Sequence, residues 1–351
     1  MKAAVELAER GLLPRPMVRW GIRRLLRDRL QAERQRHEPD RELALEEWLE
    51  QMRSAPIALV PEAANEQHYE VPAAFYELVL GPHLKYSSCY YEQADSTLGQ
   101  AEAAMLAKTC ERAELRDGQR VLELGCGWGS LTLWMAEHYP ASQIVAVSNS
   151  ASQREHILAR ARARGLHNLE VRTCDMNAFE TDERFDRVVS VEMFEHMRNW
   201  EALLGKIAGW LVEDGRLFIH VFAHARYAYP FVDRGSGDWM SRMFFTGGMM
   251  PSDDLMERVR SPLEVEEHWA VEGTHYARTS EHWLDNLDAR RAEALVVLGQ
   301  TYGESEAERW LERWRLFFLA CAELFAHDHG REWIVSHYRL RRRGTQVDSA
   351  R

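Results

Sequence analysis

The sequence predicts an α/β fold built on a doubly wound, Rossmann-like parallel sheet, with helices before it and a helical lid insertion after it. Between residues 119 and 221, short apolar segments alternate with helical segments of about ten residues, which is typical of strand–helix–strand units. A glycine-rich turn joins the first strand of this series to a helix. The alternation stops after residue 222, where aromatic residues, methionine and polar residues become frequent.

The elements of the core follow from apolar runs and from the turn residues between them. Strands are predicted at residues 119–124, 143–148, 169–173, 185–191 and 216–221. Helices are predicted at residues 130–139, 152–165, 200–211 and 304–326. Residues 332–341 are expected to form a closing edge strand.

The same pattern divides the chain into four predicted segments. Residues 1–100 are expected to form an N-terminal helical cap and a segment that covers a ligand, and residues 101–222 the ligand-binding core. Residues 223–300 are predicted to be a substrate lid, and residues 301–351 a C-terminal helix and the closing strand.

A basic amphipathic helix is predicted to begin near Pro16, with arginines around an apolar stripe. One interpretation is contact with an anionic membrane, which would place the protein at the inner membrane surface. We favour the other, a helix packed on its own domain, because the chain as a whole is acidic. The stripe consists of Trp20, Ile22, Leu25, Leu26 and Leu30.

Composition and charge exclude several classes of protein. The 351 residues include 46% hydrophobic and 28% charged residues, as in ordinary globular chains. A net charge of −11 predicts no broad nucleic-acid interface. Five cysteines without C-x-x-C spacing argue against a disulfide framework or a metal site. With neither a signal peptide nor a long apolar run, the sequence predicts a cytoplasmic protein.

The first core strand and its turn carry the most specific signal. The strand ends in Gly125-x-Gly127-x-Gly129, and a helix begins directly after it. Glycines allow a tight turn, and we expect Gly125 and Gly127 to bring backbone amides close to a ligand. With Glu123 two positions ahead, this E-x-G-x-G-x-G segment resembles the S-adenosylmethionine loop of class I methyltransferases. The amides would hold the carboxylate of the methionine end.

One departure from that pattern concerns the ribose. Most class I methyltransferases end the second strand in an acid that holds the ribose hydroxyls, whereas here Ser148 ends it and no acid precedes Glu155. Gln153 is the candidate replacement, because its amide both donates and accepts hydrogen bonds. Asp175 and Met176 follow the third strand, where an acid commonly accepts from the adenine amino group.

Three further stretches narrow the family. They are Tyr86-Ser87-Ser88-Cys89-Tyr90, the run from Val191 to Met197 with Phe194-Glu195-His196 in it, and His275-Tyr276-Ala277-Arg278-Thr279. From about residue 10 to residue 341, the chain resembles the cyclopropane-fatty-acid synthase family, which also contains plant coclaurine and pavine N-methyltransferases. The resemblance implies that Tyr86 and Ser87 close over the methyl donor.

The synthase branch of that family implies one chemistry. Its reaction methylates an alkene in the unsaturated acyl chain of a membrane phospholipid, and a bound bicarbonate ion then removes a proton. The bicarbonate ligands of the synthase pattern correspond here to Val191, Glu195, His220 and Tyr276. Ser88 stands where the pattern has cysteine, so bicarbonate is left open as a second ligand.

The N-methyltransferase branch implies another chemistry. It has a second carboxylate three residues before the Glu195 position, which is Glu192 here, where the synthases carry a small residue. Glu70 lies in a Tyr-Glu-Val-Pro element that resembles the plant enzymes and contributes a pocket carboxylate there. Amine methylation needs a neutral nitrogen, so a base must remove a proton. Glu195 and His196 are the candidate base, and Glu70 and Glu192 would attract a cationic amine.

We therefore predict an S-adenosylmethionine-dependent methyltransferase, and the preferred reaction is N-methylation of a small aromatic or aliphatic amine. The alternative is a phospholipid synthase with bicarbonate as base, which His220, Tyr276 and the basic helix favour. The net charge and the acidic residues Glu70, Glu192 and Glu195 favour the amine. A non-catalytic donor-binding protein is a third interpretation.

Overall fold

The computed structural model describes residues 2–59, 71–233, 235 and 237–344. The predicted pocket carboxylate Glu70 lies outside the described residues, so its role stays a prediction. Within the described part, no helix is both long enough and apolar enough to cross a membrane.

The N-terminal part is helical, as the sequence predicts. Its helices are α1 (Lys2–Glu9), α2 (Arg15–His37) and α3 (Arg41–Arg53). Pro16 occupies the first turn of α2, where a missing backbone N–H costs nothing. The Asp40 side chain caps α3 by accepting a hydrogen bond from the Leu43 amide.

Arginines of α2 bind carboxylates of the same chain. Arg19 donates to Glu281 and Glu323, at 2.7 Å each, and Arg23 donates to Glu323 at 2.5 Å. The helix therefore packs on its own domain, as favoured above. The predicted apolar stripe is buried only in part, because Trp20 remains 60% exposed while Leu30 is buried.

The core has the predicted alternation of strands and helices. Its elements are α4 (Ala73–Val79), α5 (Leu98–Arg112), β1 (Arg120–Leu124), α6 (Ser130–His138), β2 (Gln143–Ser148), α7 (Ala151–Ala163), β3 (Leu169–Thr173), β4 (Phe185–Val191), α8 (Trp200–Trp210) and β5 (Leu211–His224). The strand predicted at 216–221 is longer than expected at both ends.

The C-terminal part adds short elements, three long helices and two further strands of the same sheet. They are β6 (Tyr229–Pro230), α9 (Trp239–Met243), β7 (Met249–Met250), α10 (Leu255–Arg258), β8 (Leu263–Val271), α11 (Gly273–Ala289), α12 (Arg291–Tyr302), α13 (Ala307–Ala326) and β9 (Trp333–Arg342). The division into four segments stays a prediction.

The main sheet has seven strands in the order β3-β2-β1-β4-β5-β9-β8. Strands β1 to β5 pair in parallel, and β9 runs antiparallel to both of its neighbours. This topology confirms the predicted doubly wound α/β fold.

The predicted position of the closing strand was wrong. Strand β9 is not an edge, because β8 pairs with its outer side. In β8, Glu264 and Glu266 accept from Arg341 and Arg339 of β9, at 2.9 and 2.8 Å. An edge strand tolerates such charges on its faces, and they obscured its strand pattern in the sequence.

The C-terminal helices meet the sheet at the glycine turn. Trp128 of that turn belongs to the same buried apolar cluster as Tyr76, Trp283 and Trp314. Since Tyr76 lies on α4, Trp283 on α11 and Trp314 on α13, these helices close over the end of β1.

Candidate active site

Two cavities lie at the carboxyl ends of β1, β2 and β4, the edge where doubly wound sheets bind ligands. Both cavities are lined by five of the predicted site residues, which are Gly125, Gly127, Gln153, Glu192 and His196. The two cavities are therefore neighbouring parts of one site. We call them the inner cavity, which contains Glu123 and Glu195, and the outer cavity, which contains Asp175 and Met176.

The glycine turn requires its glycines. The φ angles of Gly125, Gly127 and Gly129 are +80°, +50° and +82°, in the left-handed region that disfavours side chains. A Cβ atom on Gly125 would lie 2.9 Å from the Met193 side chain, whereas Gly127 has no atom within 4 Å of that position. The Gly125 amide donates to the Val147 carbonyl. Contrary to the expectation from the sequence, this amide is therefore not directed at a ligand. Gly127 is the glycine that leaves space in the cavity.

Glu123 lies buried at the end of β1 and lines the inner cavity. Its carboxyl group accepts a hydrogen bond from the Thr132 hydroxyl at 2.5 Å. Burial raises the pKa of Glu123 to about 8, which favours the protonated form of its carboxyl group. A nearby cation would favour its ionised form. The ammonium group at the methionine end of S-adenosylmethionine fits this requirement.

Gln153 presents an unpaired donor to the cavities. Its Oε1 atom accepts from the Ser148 hydroxyl at 2.6 Å, which fixes the orientation of the amide. Its Nε2 atom is buried and has no hydrogen-bond partner in the part of the chain that the structure describes. A buried donor without a partner costs about 1–3 kcal/mol. A ribose hydroxyl accepting from Nε2 would remove that cost, which supports the predicted role.

Asp175 and Met176 line the outer cavity together with Ser148. The Asp175 carboxylate accepts from the Asn177 amide at 2.9 Å, and the Asn177 side chain in turn bonds to the backbone of Ala58. The predicted ribose and adenine contacts therefore share one cavity. Their roles toward the donor stay predictions.

Tyr86 and Ser87 line the inner cavity, in the place from which they are predicted to close over the donor. The sequence did not single out Lys85, which is buried beside them. Its Nζ atom donates to the Ser87 hydroxyl at 2.5 Å and to the Ser88 carbonyl at 2.7 Å. Lys85 therefore holds this segment against the site.

Glu102 of α5 fixes the turn that precedes Lys85. Its buried carboxyl group accepts from the backbone N–H groups of Gly81, His83 and Lys85, at 2.8 to 3.1 Å. Burial raises the pKa of Glu102 to about 7 in spite of these donors. Sequence reasoning missed Glu102, because its partners lie about twenty residues away and share no motif with it.

Glu192 lies directly after β4, and its φ angle of +46° is unusual for a residue with a side chain. Its Oε1 atom accepts from the Ser88 amide at 2.9 Å and faces the His220 Nε2 atom at 3.2 Å. Its Oε2 atom accepts from the Tyr276 hydroxyl at 2.6 Å. These three partners belong to the positions that the synthase pattern assigns to bicarbonate. The side-chain carboxylate of Glu192 takes that place, so bicarbonate is not supported.

Glu195 and His196 lie in a single 3-10 turn at Phe194–His196 and line the inner cavity. Glu195 is buried, and neither of its carboxyl oxygens has a hydrogen-bond partner among the described residues. Burial and the neighbouring Glu192 raise the pKa of Glu195 well above its usual range. The neutral form of Glu195 is therefore favoured before a cation enters the cavity. The neighbouring His196 stacks on Phe245, with ring centroids 5.9 Å apart.

The remaining wall of the inner cavity is aromatic. It faces the carboxyl groups and consists of Trp128, Phe222, Phe245, Tyr276, Trp283 and Phe317. Aromatic faces attract cations and pack against planar rings. The inner cavity thus combines buried acids with a wall suited to an aromatic cation.

Comparison with known proteins decides the family. The family model of mycolic acid cyclopropane synthetase matches residues 60–332. The chain belongs to this family. It is 39% identical to (S)-coclaurine N-methyltransferase of Thalictrum flavum subsp. glaucum over 292 residues, which are 82% of this chain and 80% of that protein. It is 34% identical to (S)-coclaurine N-methyltransferase of Papaver somniferum, over 96% of this chain and 98% of the relative.

A solved structure agrees with these relatives. Coclaurine N-methyltransferase bound to N-methylheliamine and S-adenosylhomocysteine superposes with a TM-score of 0.93 and 36% identity, covering 97% of this chain and 99% of the other. This member of the mycolic acid cyclopropane synthetase family is an S-adenosylmethionine-dependent methyltransferase, as predicted. The preferred reaction class, N-methylation, is also confirmed.

Replacing Gln153 by alanine is expected to weaken donor binding by about 1–3 kcal/mol, because a buried ribose hydroxyl then loses its donor. Isothermal titration with S-adenosylmethionine measures the effect. Gln143→Ala is the matched control, since Gln143 is exposed at the start of β2. Equal dissociation constants for the two variants would show that Gln153 does not contact the ribose.

Proposed function

We propose that this family member methylates the nitrogen of a small aromatic amine that binds between the aromatic wall and the acids of the inner cavity. The hydrogen-bonded Glu192 carboxyl group carries this proposal, because it puts a side chain of the protein where the synthase pattern needs an exchangeable anion. The relatives that act on coclaurine, and the relative bound to N-methylheliamine, support an amine of the alkaloid type.

The acids and His196 have separate tasks in this proposal. An alkylamine reaches the site as a cation, which stabilises the ionised form of Glu192 and is surrounded by the aromatic wall. The cation lowers the pKa of Glu195, because an opposite charge favours the ionised form. Glu195 and His196 then accept the N–H proton, which leaves a lone pair on the nitrogen. S-Adenosylmethionine, when bound, supplies the electrophilic methyl group on its sulfonium.

The donor is proposed to lie across both cavities. Gly127 and Glu123 would hold its methionine end, Ser148 and Gln153 its ribose, and Asp175 with Met176 its adenine. Tyr86 and Ser87 would cover it from the side of α4. Glu192 and Glu195 line the inner cavity, where the acceptor nitrogen would meet the methyl group.

A labelling experiment tests the proposed acceptor. The protein is incubated with methyl-labelled S-adenosylmethionine and either aromatic secondary amines or vesicles of unsaturated phospholipid, in buffers with and without carbonate. Label is expected in the amines, independent of carbonate. Gly127→Val serves as the control without donor binding, because its side chain would fill the open space at Gly127. Carbonate-dependent label in the vesicles alone would overturn the proposal.

A further inference from the structure

A series of hydrogen-bonded side chains connects Glu192, through the sheet, to α5. The His220 Nδ1 atom lies 2.9 Å from the Nε2 atom of His337, and the His337 Nδ1 atom lies 2.7 Å from the Nη1 atom of Arg112. His220 and His337 are direct partners across the antiparallel strands β5 and β9, and both are fully buried. We call Arg112, His337 and His220 the imidazole chain.

The direction of the hydrogen bonds in the imidazole chain follows from Arg112. A guanidinium group donates and never accepts, so the Nδ1 atom of His337 must be the acceptor. In a neutral ring the proton of His337 is then on Nε2, and it is donated to His220 Nδ1. By the same argument His220 carries its proton on Nε2 and donates it to Glu192.

Both rings of the chain are neutral. Burial, together with the positive charges of Lys85 and Arg112, lowers the pKa of His220 well below its usual value. Burial also lowers the pKa of His337 well below the usual value, with contributions from His220 and Arg112. Each ring therefore has one N–H group, and its position is set by its neighbour.

We propose that Arg112 and His337 are positioning residues that fix the tautomer of His220 and thereby keep Glu192 the charged member of the Glu192–Glu195 pair. The proposal rests on the proposed function, in which both carboxyl groups face the amine. Glu192 has three hydrogen-bond donors, whereas Glu195 has no partner among the described residues. Glu192 would lose the hydrogen bond that His220 donates to it if the His220 ring carried its proton on Nδ1.

The other groups around Glu192 do not replace the hydrogen bond that the tautomer of His220 provides. Burial raises the pKa of Glu192, and the charge of Lys85 with the hydrogen bonds from Tyr276 and Ser88 opposes that rise. Burial in turn lowers the pKa of Lys85. Burial raises the pKa of the neighbouring thiols, so they stay neutral. The titratable groups that act on Glu192 or respond to its charge are Lys85, Cys89, Glu195, His220, Tyr276 and Cys321. His220 is the member of this set whose donor atom depends on a tautomer.

Nuclear magnetic resonance tests the tautomers directly in the full-length protein. Long-range proton–nitrogen spectra of the protein with labelled histidine distinguish Nε2–H from Nδ1–H rings. Variants His220→Gln and His337→Gln assign the two signals. We expect the Nε2–H form for both rings at pH 7. An Nδ1–H ring or a protonated ring at either position would overturn the proposal, whatever the acceptor of the enzyme is.

Kinetics of three variants test the consequence for Glu192. Arg112→Met and His337→Phe are expected to lower kcat and to move the acidic limb of its pH profile up by roughly one pH unit, the value of one hydrogen bond to a charged group. KM for S-adenosylmethionine should not change. Compared with Arg112→Met, the Arg112→Lys variant should keep part of the normal pH profile of kcat, because a lysine side chain also only donates hydrogen bonds.

His224→Phe is the matched control, since His224 is a fully buried histidine of β5 outside the imidazole chain. It accepts from the backbone amides of Arg226 and Tyr227, so its loss is expected to lower the melting temperature without moving the pH profile. Unmoved profiles for both Arg112→Met and His337→Phe, in an enzyme that methylates amines, would refute the positioning role alone. Absence of amine methylation by the unaltered protein would instead refute the proposed function.

Discussion

A Glu192→Gly variant is expected to lose roughly 10²-fold or more in turnover, and added bicarbonate or formate should restore part of it. Removal of the carboxylate takes away the charge that attracts the cationic amine, and it leaves the buried Lys85, whose pKa burial already lowers, without that neighbour. The vacated space keeps the Ser88 amide, His220 and Tyr276 as donors for a planar anion. Steady-state rates against anion concentration measure the restoration.

Glu192→Gln is the control for this experiment. Its amide fills the same space but has no charge, so we expect a similar loss of turnover and no response to formate or bicarbonate. Melting temperatures show whether either variant has lost its fold. A Glu192→Gly enzyme with unchanged turnover would mean that the fixed carboxylate has no role in methylation.

Replacing His196 by alanine is expected to lower kcat by roughly 10²–10⁴-fold, the usual contribution of a general base. In the unaltered enzyme kcat should rise with pH, because both the amine and Glu195 must lose a proton before methyl transfer. Since burial and the neighbouring Glu192 raise the pKa of Glu195 in the free enzyme, the acidic limb of kcat/KM for the amine should lie above the range of an ordinary carboxyl group. Single-turnover rates at saturating and at limiting amine concentration, between pH 5 and pH 9, measure both effects.

His167→Ala provides the comparison for that variant, because His167 is exposed before β3 and distant from the site in the fold. It should keep the rate and the pH profile of the unaltered enzyme. If His196→Ala also kept them, the proton would have to leave through Glu195 alone.

The fold was largely predictable because its signals are local. Strands β2, β3 and β4 have the predicted bounds, since continuous apolar runs between turn residues define them. Strand β8 was missed, because an edge strand pairs on one side only and carries three glutamates. Its signal lies in the charge match with the arginines of β9, which is visible only once the two segments are paired.

The site was predictable where a motif or a missing residue signals it. The glycine turn follows from its spacing, and Gln153 follows from the missing acid at the end of β2. Lys85, Glu102 and His337 were not found, because their roles arise from contacts between distant segments. His337, for example, reaches His220 through the register of β5 and β9, which no local spacing encodes.

The backbone at Glu192 has a consequence for how the two reactions of this family can interconvert. A φ angle of +46° suits glycine better than any residue with a side chain. The main chain therefore needs no change when a side chain at position 192 is lost or gained. Glycine codons ending in a purine become glutamate codons by one base substitution. An ancestral site that depended on a dissolved anion could thus have acquired a permanent one in one mutational step.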